Sequence, residues 1–147
     1  MKLRLATDED YDAVFLLMRQ LNPEDPEIDM QLGKALFTKI LNAEGLYIYL
    51  VEVEGTPVAS CYLNVMPNLT RGGRSYALIE NVVTDSSHRR SGIGTLLLKE
   101  VIKKAFGFGC YKVMLLTGRD SKVHTFYENC GLEKNSKTAF IKRSSSE

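Results

Sequence analysis

Ile79-Glu80-Asn81-Val82-Val83, a polar link from Thr84 to His88, and then Arg89-Arg90-Ser91-Gly92-Ile93-Gly94 ahead of a periodic segment ending at Phe106 form the stretch that decides the fold. The first five residues spell an apolar strand interrupted by one acid. Positions 93, 96, 97, 101 and 105 put apolar side chains on one face of a following helix, with Thr95, Lys99 and Lys103 on the other. Between strand and helix, two glycines stand beside two arginines. Glycine admits left-handed backbone angles and removes the Cβ that obstructs a ligand, and the first N–H groups of a helix have no intrahelical partner. The helix dipole and the charges of Arg89 and Arg90 add positive potential, so the loop suits a phosphate or pyrophosphate.

Gly-x-Gly alone is shared by many turns, so the flanks carry the argument. A dinucleotide fingerprint needs a third glycine where Leu97 stands, and no acid-tipped second strand follows at the expected distance. The Gly-x4-Gly-Lys-Ser/Thr of a P-loop is not spelled anywhere. Arg89-x-x-Gly92-x-Gly94 behind a Val-rich strand resembles the cofactor-binding motif of the GNAT superfamily of acyl-CoA-dependent N-acyltransferases.

At 147 residues the chain suits one domain, expected over residues 1–143 with a frayed Ser-rich tail at 144–147. Its 44% hydrophobic and 25% charged residues read as a globular protein. A net charge of +1 is no nucleic-acid-binding excess, so basic potential has to be local. Cys61, Cys110 and Cys130 are odd in number without a Cys-x-x-Cys pair, and are expected to be reduced and mostly buried. With only His88 and His124 beside them, no metal set is expected. Residues 1–6 alternate like a strand rather than a secretory signal, and no apolar run reaches membrane-spanning length. The cytoplasm is the expected location, with neither nucleic acid nor membrane as partner.

Read in order, residues 2–6 predict a strand, and Thr7 with Asp10 a capping box. A helix follows to about Leu21, with Tyr11, Val14, Phe15, Met18 and Leu21 inward, and Pro23 and Pro26 break it. Residues 28–42 predict a second helix with Leu32, Leu36 and Ile40 on its apolar side, although Gly33 is out of place there. Residues 46–53 and 58–65 form a hairpin across Glu54-Gly55-Thr56-Pro57, and residues 75–84 a further strand. After the Gly-rich loop and its helix, Gly107 and Gly109 act as stops. Residues 111–117 predict a strand, 120–129 a short helix capped by Gly131, and 137–142 a last strand.

The order βααβββαβαβ implies a mixed α/β architecture, and it is also the GNAT order. That resemblance implies a single, mostly antiparallel sheet of about six to seven strands flanked by about four helices. A second motif supports it, because Phe126-Tyr127-Glu128-Asn129-Cys130-Gly131-Leu132 is similar to the family's Phe-Tyr-x-x-x-Gly-Phe segment. The implied activity is transfer of an acetyl group from acetyl-CoA to a primary amine, with no metal. Tyr127 is the candidate general acid for the departing thiolate, and Glu80 the candidate base. Equally open for Glu80 are an ion pair to Arg74 or another neighbour, and electrostatic placement of the amine. The Val82 backbone is expected to polarise the thioester carbonyl, and Val83 and Thr84 to pair with the pantetheine arm. Backbone groups of Arg89, Arg90, Ser91, Gly92, Ile93 and Gly94, with the Thr95 hydroxyl, are expected to hold the pyrophosphate. Asp120 stands where the family often has Asn, so it can cap a helix but lacks the amide donor offered to coenzyme A. Val123 replaces a common Ala and Leu132 a common Phe, and no chemistry is assigned to His124.

The motifs leave the acceptor open. Residues 22–28, 66–74 and 133–138 occupy the segments that select it in this family, and a small amine or amino sugar is expected in a chain too short to build a long peptide groove. Lysine side chains, protein N-termini, a catalytically silent acyl-CoA-binding module and a nucleotide-binding protein stand as alternatives, and a homodimer is compatible with the architecture.

Overall fold

The structure, a computed structural model, describes residues 1–144. The chain divides into two compact units, Met1–Leu115 and Leu116–Glu147.

The first unit is built on a five-stranded sheet in the order β1-β2-β3-β4-β5. Its strands are β1 (Lys2–Leu5), β2 (Leu46–Val53), β3 (Thr56–Met66), β4 (Tyr76–Thr84) and β5 (Val113–Met114). The first four pair antiparallel, and β5 joins β4 in parallel. The β2–β3 hairpin closes tighter than expected. Val53 pairs with Thr56, leaving a two-residue turn of Glu54 and Gly55 with φ of 51° and 82°. Two left-handed residues match the twist of a hairpin, which draws Thr56 and Pro57 into the strand.

Helices α1 (Tyr11–Leu21) and α2 (Met30–Leu41) cover one face of the sheet, and α3 (Ile93–Gly107) covers the other. Under α1 and α2 lies a cluster of Tyr11, Val14, Phe37, Ile48 and Leu50. Leu17 also faces inward from α1, while Phe15, Met18 and Leu21 are half-buried. The buried side of α2 is Gly33 and Phe37, and Leu32 and Leu36 are exposed. That rotation has a cause. A Cβ on Gly33 would stand 2.0 Å from the Tyr11 hydroxyl, so the missing side chain lets α2 close onto the Tyr11 ring. On α3 the buried face is Ile93, Leu97, Leu98, Val101 and Ala105, with Leu98 inside where Leu96 was expected.

Local sequence sets several boundaries. The Asp10 carboxylate accepts from the Thr7 N–H at 2.8 Å, the capping arrangement expected of this pair, and also from Arg4, which bridges it to Glu52. Helix α3 ends in a Schellman motif: Cys110 N–H donates to Ala105 O and Gly109 N–H to Phe106 O, with Gly109 at φ 81°. All three cysteines are buried, and Cys61 and Cys110 are free thiols. Among the described residues, no helix is long and apolar enough to cross a membrane.

The described part of the second unit holds α4 (Ser121–Asn129), which ends in the same motif around Gly131, with φ 91°. Two expected strands change: one shortens, and the other is absent, which leaves five strands among the described residues. Residues 111–117 pair with β4 only briefly, at Ala77–Val113 and Leu78–Met114. Residues 137–142 form no strand: they have no ladder partner among the described residues, and Phe140 is 93% exposed. A β-prone composition suits a strand but does not supply the neighbour that hydrogen-bonds it. Residues 145–147 of the expected tail lie outside the described residues.

Candidate active site

The centre of β4 carries an irregularity that the sequence does not announce. Tyr62 pairs with Glu80 and Ser60 with Val83, so Cys61 stands opposite both Asn81 and Val82. The extra residue is a β-bulge, and Asn81 takes a left-handed φ of 52° to form it. A bulge bends the strand and raises its twist, which accounts for the early end of the parallel ladder with β5. From Ile79 to Thr84 the strand pairs with β3 on one side and has no ladder partner on the other among the described residues. A strand with an open row of N–H and C=O groups can take an extended ligand as an added strand.

Beyond Thr84 the chain turns through Ser86–His88 and enters α3. Asp85 organises the turn, its carboxylate accepting from Ser87 N–H at 3.0 Å and from the Gln20 amide at 2.7 Å, with His88 Nδ1 3.2 Å away. These bonds, Gln20 first, then Ser87 and His88, hold its carboxyl well below the usual carboxylate range. Arg89 Nε donates back to Thr84 O at 3.1 Å, and Ser91 Oγ donates to His88 O. Gly92 is the N-cap of α3 at φ 84° and ψ −7°, with nothing within 4 Å of where a Cβ would stand. The first helical bond joins Leu96 N–H to Gly92 O at 3.0 Å, so the N–H groups of Ile93, Gly94 and Thr95 have no partner within the helix. Exposed Arg89 and Arg90 stand immediately before them. An open space, unpaired donors and two cations suit a pyrophosphate.

Glu80 shares a sheet face with Tyr62, its direct cross-strand neighbour, and with Leu78 and Tyr76 on its own strand. It is half-buried and forms no ion pair among the described residues. Arg74, a suggested partner, instead donates to Cys110 O at 3.3 Å. Burial raises the pKa of the neighbouring Tyr62 phenol. At the other end of this face lies a cluster that sequence reading missed. The Lys112 ammonium sits 5.4 Å from the Tyr76 ring centroid and 5.5 Å from that of Tyr111, and the Arg71 guanidinium 5.7 Å from Tyr111. Neither cation forms an ion pair among the described residues. Arg71 and Lys112 are 41 positions apart, and only the pairing of β4 with β5 brings them to one ring.

In the second unit, Asp120 caps α4, its Oδ1 accepting from Lys122 N–H at 3.1 Å and Val123 N–H at 3.4 Å. Tyr127 is half-buried and its ring packs on Phe126 with centroids 5.1 Å apart. Its backbone carbonyl takes the closing bonds from Cys130 and Leu132, so the glycine-capped helix end fixes the position of the residue. Of the residues expected at the site, Glu80, Val82, Val83, Thr84, Arg89, Arg90, Ser91, Gly92, Ile93, Gly94 and Thr95 follow one another along β4, its loop and the start of α3. Asp120 and Tyr127 stand on the second unit.

A bulged strand open on one side leads into a left-handed, arginine-flanked helix start, an arrangement that suits an extended ligand ending in a pyrophosphate. Residues 12–132 match the model of the acetyltransferase (GNAT) family, and the chain belongs to that family and is an acetyltransferase. Members of this family use acetyl-CoA as co-substrate. The chain is 29% identical over 131 residues to the glucosamine 6-phosphate N-acetyltransferase of Trypanosoma brucei brucei, covering 89% of this chain and 88% of that protein. It is 30% identical over 129 residues to glucosamine 6-phosphate N-acetyltransferase 1 of Oryza sativa subsp. japonica, covering 81% and 73% of the two. A solved structure, a putative acetyltransferase from Agrobacterium tumefaciens str. C58, superposes with a TM-score of 0.94 at 46% identity, covering 98% of this chain and 100% of that one.

Proposed function

We propose that this acetyltransferase moves the acetyl group of acetyl-CoA to the amine of a phosphorylated amino sugar. The observation that carries the reading is the run from the β4 bulge to the start of α3, where an open strand edge leads directly to unpaired helix donors. The relatives' acceptor, glucosamine 6-phosphate, supports the choice of sugar. So does the face of β4, with a carboxylate at Glu80, the Lys112 cation near Tyr76 and the Arg71 cation near Tyr111. Glu80 and Tyr76 are four residues apart on one strand, about 13 Å at strand rise.

Acetyl-CoA supplies a thioester whose carbonyl carbon the amine attacks. Backbone groups of Val83 and Thr84 align the pantetheine arm, and the N–H groups at Ile93, Gly94 and Thr95, with the Thr95 hydroxyl and the Arg89–Gly94 loop, hold the pyrophosphate. The Val82 backbone stabilises the oxyanion that forms at the carbonyl. Glu80 takes the proton of the attacking amine, directly or through a water, and the Tyr127 phenol donates to the departing thiolate. Asp120 serves as the cap that sets the start of α4 before Tyr127.

Release of free coenzyme A thiol, measured with glucosamine 6-phosphate and with glucosamine, tests the reading. Turnover is expected to favour the phosphorylated sugar. Tyr127→Phe is expected to lower kcat on the order of a hundredfold while coenzyme A binding holds, as for loss of a general acid. Coenzyme A binding without thiol release for any amine would leave only a silent binding module, and turnover of peptide amines in preference to sugars would move the acceptor to protein.

A further inference from the structure

We infer that Gln20, in the last turn of α1, is a positioning residue for the coenzyme loop, acting through a two-point amide clamp on Asp85 and Ser86. The inference rests on the reading of residues 89–95 given above and adds the part that holds them in place.

The loop has little apolar burial to fix it. Ser86, Ser87, Arg89, Arg90, Ser91 and Gly92 are all exposed. Most of its side-chain hydrogen bonds are local: Asp85 with Ser87 and His88, Arg89 with Thr84, Ser91 with His88. Local bonds set the shape of a turn but not its direction relative to the sheet. Among the described residues, the side-chain bonds that reach this segment from a distant element are the two made by Gln20. Its Nε2 donates to Asp85 Oδ2 at 2.7 Å, and its Oε1 accepts from Ser86 N–H at 2.9 Å.

The chemistry of the pair is demanding. A carboxylate only accepts and a backbone N–H only donates, so the partner has to present a donor and an acceptor side by side. A primary amide does this in one orientation; a carboxylate, an ammonium or an alkyl side chain does not. The same Asp85 carboxylate caps the Ser86–His88 turn, so the clamp and the turn share one group. Arg19, beside Gln20, donates to Asp25 O at 2.6 Å. The end of α1 is thereby tied to the loop that follows it as well as to the coenzyme loop.

The test is coenzyme A binding by calorimetry, with kcat and KM for acetyl-CoA measured alongside, for Gln20→Leu, Gln20→Glu, Asp85→Asn and the double variant Gln20→Glu with Asp85→Asn. Gln20→Leu is expected to weaken coenzyme A about tenfold, the worth of two hydrogen bonds, and to raise KM for acetyl-CoA more than it lowers kcat. Gln20→Glu sets two carboxylates against each other and Asp85→Asn sets two amide donors against each other, so each alone is expected to weaken binding. The double variant restores both bonds with the first one's polarity exchanged. The new amide at position 85 donates to the new carboxylate at position 20, whose other oxygen still accepts from Ser86 N–H. It is expected to recover affinity to within about threefold. Undiminished binding by Gln20→Leu, in a protein whose wild type binds coenzyme A, overturns the clamp and leaves the coenzyme loop standing. A double variant no better than the singles also overturns it, because the loss then comes from disturbed packing. A wild type that does not bind coenzyme A removes both the loop reading and the clamp.

Discussion

Replacing Gly33 with alanine should destabilise the protein, against the usual result for a glycine inside a helix. Helix propensity alone favours alanine by about 1 kcal/mol. Here the new Cβ would stand 2.0 Å from the Tyr11 hydroxyl oxygen, 3.0 Å from Cζ and 3.4 Å from Cε2. The ring cannot simply swing away, because it is buried, stacked on Phe15 at 5.7 Å and edge-on to Phe37 at 5.7 Å. Overpacking of a closed core costs about 1–3 kcal/mol, so the net loss is expected to be about 1 kcal/mol, after the propensity gain is subtracted. Tyr11→Phe supplies the control. It removes the atom at 2.0 Å and leaves Cζ at 3.0 Å, a contact relieved by a shift of a few tenths of an ångström. In the Tyr11→Phe background the alanine should therefore cost little or stabilise, giving a coupling of about 1–2 kcal/mol between two residues in contact. Urea unfolding followed by circular dichroism on the four proteins of the cycle measures this. A Gly33→Ala protein more stable than wild type, or an equal cost in both backgrounds, would refute the argument that Gly33 is there to admit the Tyr11 ring.

Acid stability should report the Arg4–Asp10 pair: hydrogen bonds from Arg4 hold the Asp10 carboxyl at about 2, below its ordinary 3.8, against the opposing effect of burial. A depressed carboxyl stabilises above its unfolded pKa, so a contribution of about 2 kcal/mol is complete above pH 4 and fades as pH falls toward 2. Unfolding free energies at pH 5, 4, 3 and 2.5 should show that decline in wild type and a flatter one in Arg4→Met. Gly92→Ala forces a side chain into φ 84° and should cost about 1 kcal/mol of stability or let the turn relax. Either way coenzyme A affinity measured by calorimetry should fall, although no atom stands where the Cβ would go. Ser60 is fully buried beside the β4 bulge with no hydrogen-bond partner for its hydroxyl among the described residues, so Ser60→Ala should be neutral or raise the thermal midpoint, since no bond is lost and an unsatisfied group is removed.

Local order was legible wherever one segment determines its own shape. The strand, Gly-rich loop and helix from Ile79 to Phe106 could be read directly, because left-handed glycines, unpaired first-turn donors and a 3.6-residue apolar period are properties of neighbouring residues. The Thr7–Asp10 cap, the glycine stops after α3 and α4, and the Phe126–Leu132 motif are of the same kind. What depended on a distant partner was not legible. Residues 137–142 were expected as a strand yet have no ladder partner among the described residues, and β5 stops after Met114 because a bulge in another strand bends the ladder away. Gly33 looked like a weakness in α2 until Tyr11 was found against it. Gln20 carried no signal as a helical glutamine, and Lys112 none as a lysine in a strand, since their partners lie 65 residues away at Asp85 and 36 residues away at Tyr76. Sequence by itself determined the family, the order of the helices and strands as far as α4 and the glycine-led start of α3, all encoded in short-range backbone chemistry. Tertiary structure decided which faces are buried, where β4 opens and which remote side chains bond to Asp85 and Ser86, because those depend on contacts that form only when remote segments pack together.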